Sequence, residues 1–154
     1  MNAFNVYLGA IFLYNSELWT LTKTLNEKID SFHRRLLRKY VLQIKYPKII
    51  SNIEVYGKTK ITPWSTIIGK RRLSWLGHVA RLHEETPVRK ALDYFLKSYK
   101  KKRGRPKLTW IKQVENQLQK VNINGIDEII SLAKDKDKWK ETVLSWLQKV
   151  ASAT

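Results

Sequence analysis

Apolar residues recur at helical intervals along most of the chain, and no alternating pattern of useful strand length appears. From Leu25 to Ile44 the positions Leu25, Ile29, Phe32, Leu36, Leu37, Tyr40, Val41 and Ile44 gather on one side of a helix when successive residues are placed roughly 100° apart. Lys28, Arg34, Arg35, Arg38 and Lys39 fall on the other side. Pro47 ends this helix or follows its end. A short helix is expected over 49–56, with Gly57 as its stop.

The segment 62–82 carries the most information. Thr62 can cap a helix and Pro63 suits its first position. Trp64, Ile68, Trp75, Val79 and Leu82 line one side, and Leu73, Leu76, Gly77 and Ala80 the nearly opposite one, where small residues permit another helix to approach. A helix apolar on two sides is central in its domain. What remains polar is a narrow stripe of Lys70, Arg71, Ser74, His78 and Arg81. A break at Gly69 would rotate the first half of this helix and leave the stripe intact.

Further helices are expected over 87–99, 106–121 and 126–133, with a last one carrying Trp139, Val143, Trp146, Leu147 and Val150 on one face. Residues 122–125 read as a turn. The run 100–107 has no apolar residue and reads as a basic loop between helical subregions. The pattern predicts an all-α fold, a single compact multi-helix domain over 1–154 with no significant sheet. Residues 1–22 are an alternative end of an upstream domain, because the apolar stretch 1–14 is too short for a membrane span and lacks the marks of a signal peptide. Such a segment is expected to pack on a neighbour, as in a truncated piece of a longer protein.

Composition adds a partner class. The 154 residues hold 30 Lys and Arg against 13 acids, a formal net charge of +17 that repels itself in the folded state and favours a polyanion partner. Two other readings of that charge are solubility alone and an anionic membrane surface. The second fits less well, because the basic residues recur along several helices and face no single lipid-facing stripe. Six Trp suggest a packed interior. The absence of Cys excludes disulfides, thiol catalysis and thiolate zinc sites. The chain is expected in the nucleus or cytoplasm and not secreted.

Nucleic-acid contacts are expected from Arg34, Arg35 and Arg38, from the Lys70, Arg71, Ser74, His78, Arg81 stripe, and from Lys101, Lys102, Arg103, Arg105 and Lys107 of the basic loop. Arg103-Gly104-Arg105-Pro106 has the shape of a minor-groove hook, with plain phosphate contact by a flexible loop as the alternative. Each arginine face also has a plainer reading as a solvated surface. No adjacent Asp pair suited to two metal ions, no Ser/His/Asp arrangement and no phosphate-cradling Gly loop can be read. Glu84-Glu85 and Asp127-Glu128 fit capping and helix-dipole roles. No catalytic residue, metal or cofactor is expected.

Five words in this order, Leu13-Tyr14-Asn15-Ser16-Glu17-Leu18-Trp19-Thr20-Leu21, Phe32-His33-Arg34-Arg35-Leu36-Leu37-Arg38, Arg71-Arg72-Leu73-Ser74-Trp75-Leu76-Gly77-His78-Val79-Ala80-Arg81, Gly104-Arg105-Pro106 with Trp110, and Asp137-Lys138-Trp139, span nearly the whole chain. Together they resemble the region after the catalytic core in reverse transcriptases of non-LTR (LINE-type) retrotransposons. The word Trp75-Leu76-Gly77-His78-Val79 is the most specific. The resemblance implies a helical thumb and post-thumb segment that grips template–primer duplex or RNA while other parts polymerise, and a reverse-transcriptase core as a possible partner. The palm with its Asp pair and the Cys/His zinc knuckle of some such proteins are both missing, so this chain is not expected to polymerise. A severed fragment, a frame left by a decayed element and a domesticated binding protein all fit.

Overall fold

The computed structural model describes the backbone of residues 3–97 and 108–152 and the side chains of 7–96 and 108–152. Among them are eight α-helices and no strand: α1 (Ala3–Phe12), α2 (Lys23–Leu36), α3 (Asn52–Thr59), α4 (Trp64–Ala80), α5 (Pro87–Lys97), α6 (Trp110–Leu118), α7 (Ile126–Lys134) and α8 (Lys136–Ser152). The all-α expectation holds. Contacts gather into two compact units, Met1–Gly69 and Lys70–Ala153, divided within the long α4.

In the first unit, Leu13, Leu21, Trp64 and Ile68 form one buried cluster, and Leu37, Ile50 and Val55 form another. Leu13 and Leu21, in the stretch set apart above as a possible end of an upstream domain, are therefore core residues of this unit. Phe12 stacks on Trp64 with ring centroids 4.6 Å apart and on Phe32 at 5.5 Å.

Three sequence expectations are corrected here. The helix expected to run to Ile44 stops at Leu36 and passes into a π-helical turn, Leu37–Val41, where the Leu42 N–H donates to Leu37 O at 2.9 Å. The wider turn changes the rotation per residue within it, and Tyr40, inside the turn, faces solvent and not the predicted apolar side. The buried stripe of α2 also centres on His33 and Leu37, so Leu25 and Phe32 lie at its edge and stay exposed.

The second correction concerns α3. It starts after Ser51, whose Oγ accepts from the Glu54 N–H at 3.1 Å, and it runs through Gly57 to Thr59. Lys60 (φ 54°) takes the left-handed position expected of a glycine. In the third, α4 begins at Trp64, and its first turn is capped from another helix. Asp30 of α2 accepts the Ser65 N–H at 2.9 Å and the Ser65 hydroxyl at 2.5 Å. Thr62 is exposed.

The second unit packs around Leu73, Leu76, Val79, Ala80, Leu92, Val114, Leu118, Ile129, Ala133, Trp139, Val143 and Trp146. Gly77 makes the close approach that its size allows: a Cβ there would overlap the Trp139 indole of α8. That indole N–H donates to Leu73 O at 2.9 Å. The helix expected from residue 106 begins at Trp110, where the Thr109 hydroxyl accepts from the Lys112 N–H at 3.2 Å. Asn122 (φ 62°) and Gly125 (φ 94°) form the expected turn. Glu128 reaches back to accept the Asn124 N–H at 3.1 Å, in keeping with its reading as a capping acid. Residues 98–99, at the end of the helix expected over 87–99, and the 100–107 loop lie outside the described residues.

Two arginines bind helix ends. Arg89, nearly buried, pairs with Asp93 at 3.1 Å and donates to Ala80 O, the last residue of α4. Arg81 donates to Ala133 O near the end of α7 at 2.7 Å. Each places a cation against the negative end of a helix dipole.

Candidate nucleic-acid interface

In the second unit α4 buries Leu73, Leu76, Gly77, Val79 and Ala80, which leaves one strip of its surface to solvent. On that strip stand Lys70, Ser74 and His78, with Arg81 just past the helix end, all exposed, and Arg71 half-buried at its margin. At 1.5 Å per residue the strip runs roughly 16 Å from Lys70 to Arg81. No acidic residue occurs between Glu54 and Glu84, so α4 offers the strip no counter-charge of its own. His78 leans toward the half-buried Trp75, with ring centroids 5.4 Å apart and planes tilted by 31°. The bond from Arg81 to Ala133 O holds one guanidinium nitrogen in place. A straight, acid-free row of donors on a packed helix is suited to a run of phosphates, which ask for charge and spacing and little else.

The arginine face of the first unit is divided by its own packing. Arg38 donates to Ile50 O at 3.3 Å and to Asn52 Oδ1 at 2.7 Å, which ties the entry of α3 to the π-helical turn. The Arg34 guanidinium lies 6.0 Å from the centre of the Tyr56 ring. Arg35 is exposed. Lys101, Lys102, Arg103, Arg105 and Lys107 lie outside the described residues.

Several chemically unusual groups escaped the sequence reading. His33 has no exposed surface, stacks on Trp64 at 4.4 Å with planes 9° apart, and has neither ring nitrogen hydrogen-bonded. Burial, and then the nearby Arg34 charge, push its pKa down to about 4, so it is neutral at physiological pH. Tyr56 is pushed up to about 12, first by burial and then by the Asp30 carboxylate. Arg72 is 5% exposed, and its guanidinium donates to Gln117 at 3.0 Å. Burial lowers its pKa to about 10, so it still carries its charge. A helical wheel could have flagged Arg72, which falls between Val79 and Leu76 on the buried side. The same wheel could have flagged His33, which falls between Ile29 and Leu37 at the middle of the apolar side of α2. Among the described residues no group of three or more His, Asp or Glu side chains could hold a metal ion, and no helix is long and apolar enough to cross a membrane.

Comparison with known proteins gives one informative likeness. The chain is 24% identical over 146 residues to a transposon-derived protein of Caenorhabditis elegans. The likeness supports a transposon origin. It covers 90% of this chain and 52% of that relative, so the chain spans about half the length of the protein it matches. No protein-family profile matches the sequence, and no solved structure matches it.

Proposed function

We propose that this chain is a non-catalytic nucleic-acid-binding domain of retroelement descent, a thumb-like piece of a LINE-type reverse transcriptase that grips template–primer duplex or RNA through backbone contacts. The observation that carries this reading is the acid-free strip on α4, with Lys70, Ser74, His78 and Arg81 exposed in a row on a chain of net charge +17. Arg35 and the 101–107 basic residues add further cations. Phosphate contacts release counterions, so affinity falls steeply as salt rises. The transposon-derived relative and the five matching words favour the same descent.

The test is fluorescence anisotropy of labelled RNA–DNA hybrid, duplex DNA and single-stranded RNA across a salt series. Two exposed positions, Lys70→Glu with Ser74→Glu, put negative charge where phosphates would run. Binding is expected to weaken at least tenfold and its salt slope to flatten, with the helical circular dichroism unchanged. Equal affinity and slope in the variant would remove the strip from the reading.

A second reading, a module that docks on a polymerase core, draws on α1 and the residues after it. Tyr7, Ile11 and Tyr14 there are more than two-thirds exposed. Removing residues 1–14 would also remove the buried Leu13, so Tyr7→Lys with Ile11→Lys is the cleaner probe. Loss of binding to a reverse-transcriptase core with nucleic-acid affinity intact would favour docking.

A further inference from the structure

Outside the α4 strip, the first unit carries a second surface of different chemistry. Between Asp30 and Glu54 the chain has no acidic residue. In the middle of that stretch Lys45, Tyr46, Pro47 and Lys48 form a turn closed by a hydrogen bond from the Lys48 N–H to Lys45 O at 3.1 Å. The turn draws Lys45 and Lys48 to within about 7 Å of each other at its base. Tyr46, at its tip, is 93% exposed. A tyrosine held almost wholly in water contributes little to the unit's own core, and its phenol side chain is a poor choice for solubility beside two lysines. Tyr40, 56% exposed, stands in the π-helical turn with the Lys39 ammonium 5.1 Å from its ring centre.

We infer that the Lys45–Lys48 turn is a base-stacking finger for single-stranded nucleic acid: the Tyr46 ring takes the face of an unpaired base, and Lys45 and Lys48 take the phosphates on either side. Every base presents a π-face, so such a contact is tolerant of sequence, while the paired cations follow the backbone. A duplex, whose bases are already stacked on each other, offers the ring nothing. The inference rests on the nucleic-acid reading above and adds to it a strand preference and a second set of residues. An anionic membrane surface would also attract the lysines and could take the exposed Ile49 (89%) next to Lys48, but Tyr46 and Ile49 stand among charges on a short turn and form no helical apolar stripe of the kind that beds into lipid.

The experiment compares the full chain with Tyr46→Ala, Tyr46→Phe and Lys45→Ala/Lys48→Ala, using labelled oligo(U), a mixed-sequence duplex, and vesicles of phosphatidylserine and phosphatidylcholine. Because Tyr46 is exposed, its variants are expected to keep the parent's thermal midpoint. Tyr46→Ala should weaken oligo(U) binding about tenfold, with its salt slope and the duplex affinity unchanged, and Tyr46→Phe should bind as the parent does. The double lysine variant should lower the single-strand salt slope by about 1.4, the share of two phosphates. Parental oligo(U) affinity in Tyr46→Ala, alongside lost duplex binding in the α4 variant, would overturn this inference alone. A parent that binds neither strand form would overturn both. A Tyr46→Ala defect confined to vesicles would overturn the finger and assign the turn to membranes.

Discussion

Gly77 and Gly57 both lie inside helices, and the same substitution is expected to act on them with opposite sign. Alanine in a helix interior is favoured over glycine by roughly 0.5–1 kcal/mol, because glycine gives up more backbone freedom on folding. At Gly57 in α3 an added Cβ meets nothing within 4 Å, so Gly57→Ala should gain most of that amount. At Gly77 the added Cβ overlaps Cδ1 and Nε1 of the Trp139 indole. That ring is 3% exposed, packed in the core and bonded to Leu73 O, so it has little room to retreat. Overpacking of this kind costs roughly 1–3 kcal/mol. Losing the indole hydrogen bond adds about 1 kcal/mol. Set against the helix-propensity gain, Gly77→Ala should destabilise by roughly 2 kcal/mol, a fall of about 4–8 °C in thermal midpoint for a chain of this size. Urea unfolding followed by tryptophan fluorescence reads both variants, and near-UV circular dichroism reports the seating of Trp139. If Gly77→Ala proves as stable as Gly57→Ala, α4 and α8 do not meet as closely as described, and the packing argument for the second unit fails.

Three further outcomes are expected. His33 has a pKa of about 4 when folded against an ordinary value of 6.5, so as pH falls the unfolded chain takes up the proton first. Stability is thus lost between about pH 6.5 and 4, by up to roughly 3 kcal/mol; His33→Phe should flatten that part of a plot of urea midpoint against pH, and an identical slope in parent and variant would show that His33 is not the group responsible. Asp30→Ala should cost about 1–2 kcal/mol by removing the cap on α4, while Thr62→Ala stays within about 0.5 kcal/mol in the same urea assay. Asp93→Ala leaves the nearly buried Arg89 without its carboxylate and should cost roughly 2 kcal/mol, below the range for fully buried pairs because Asp93 is partly exposed; no change in midpoint would mean that the bond to Ala80 O alone satisfies the guanidinium.

What the sequence by itself determined is the part of the architecture carried by local period and composition. Helical spacing was enough to expect an all-α chain, to mark the polar strip on α4 and to explain the small residue at Gly77, because a helix places its own side chains and a polar position lying between the two apolar sides has nowhere to face but water. The turn at Asn122–Gly125 and the capping role of Glu128 were legible for the same reason, being settled within a few residues. Tertiary structure decided everything that depends on a distant partner. Asp30 caps α4 from 35 residues away, and Arg38 and Arg81 are bonded to the carbonyls of Ile50 and Ala133. His33 enters the core as an aromatic plate against Trp64 despite its two nitrogens, and a π-helical turn re-aims Tyr40. Residue type and spacing state what a side chain can do; which of its options is realised depends on the neighbours that take it out of water, and those are chosen only when the chain folds.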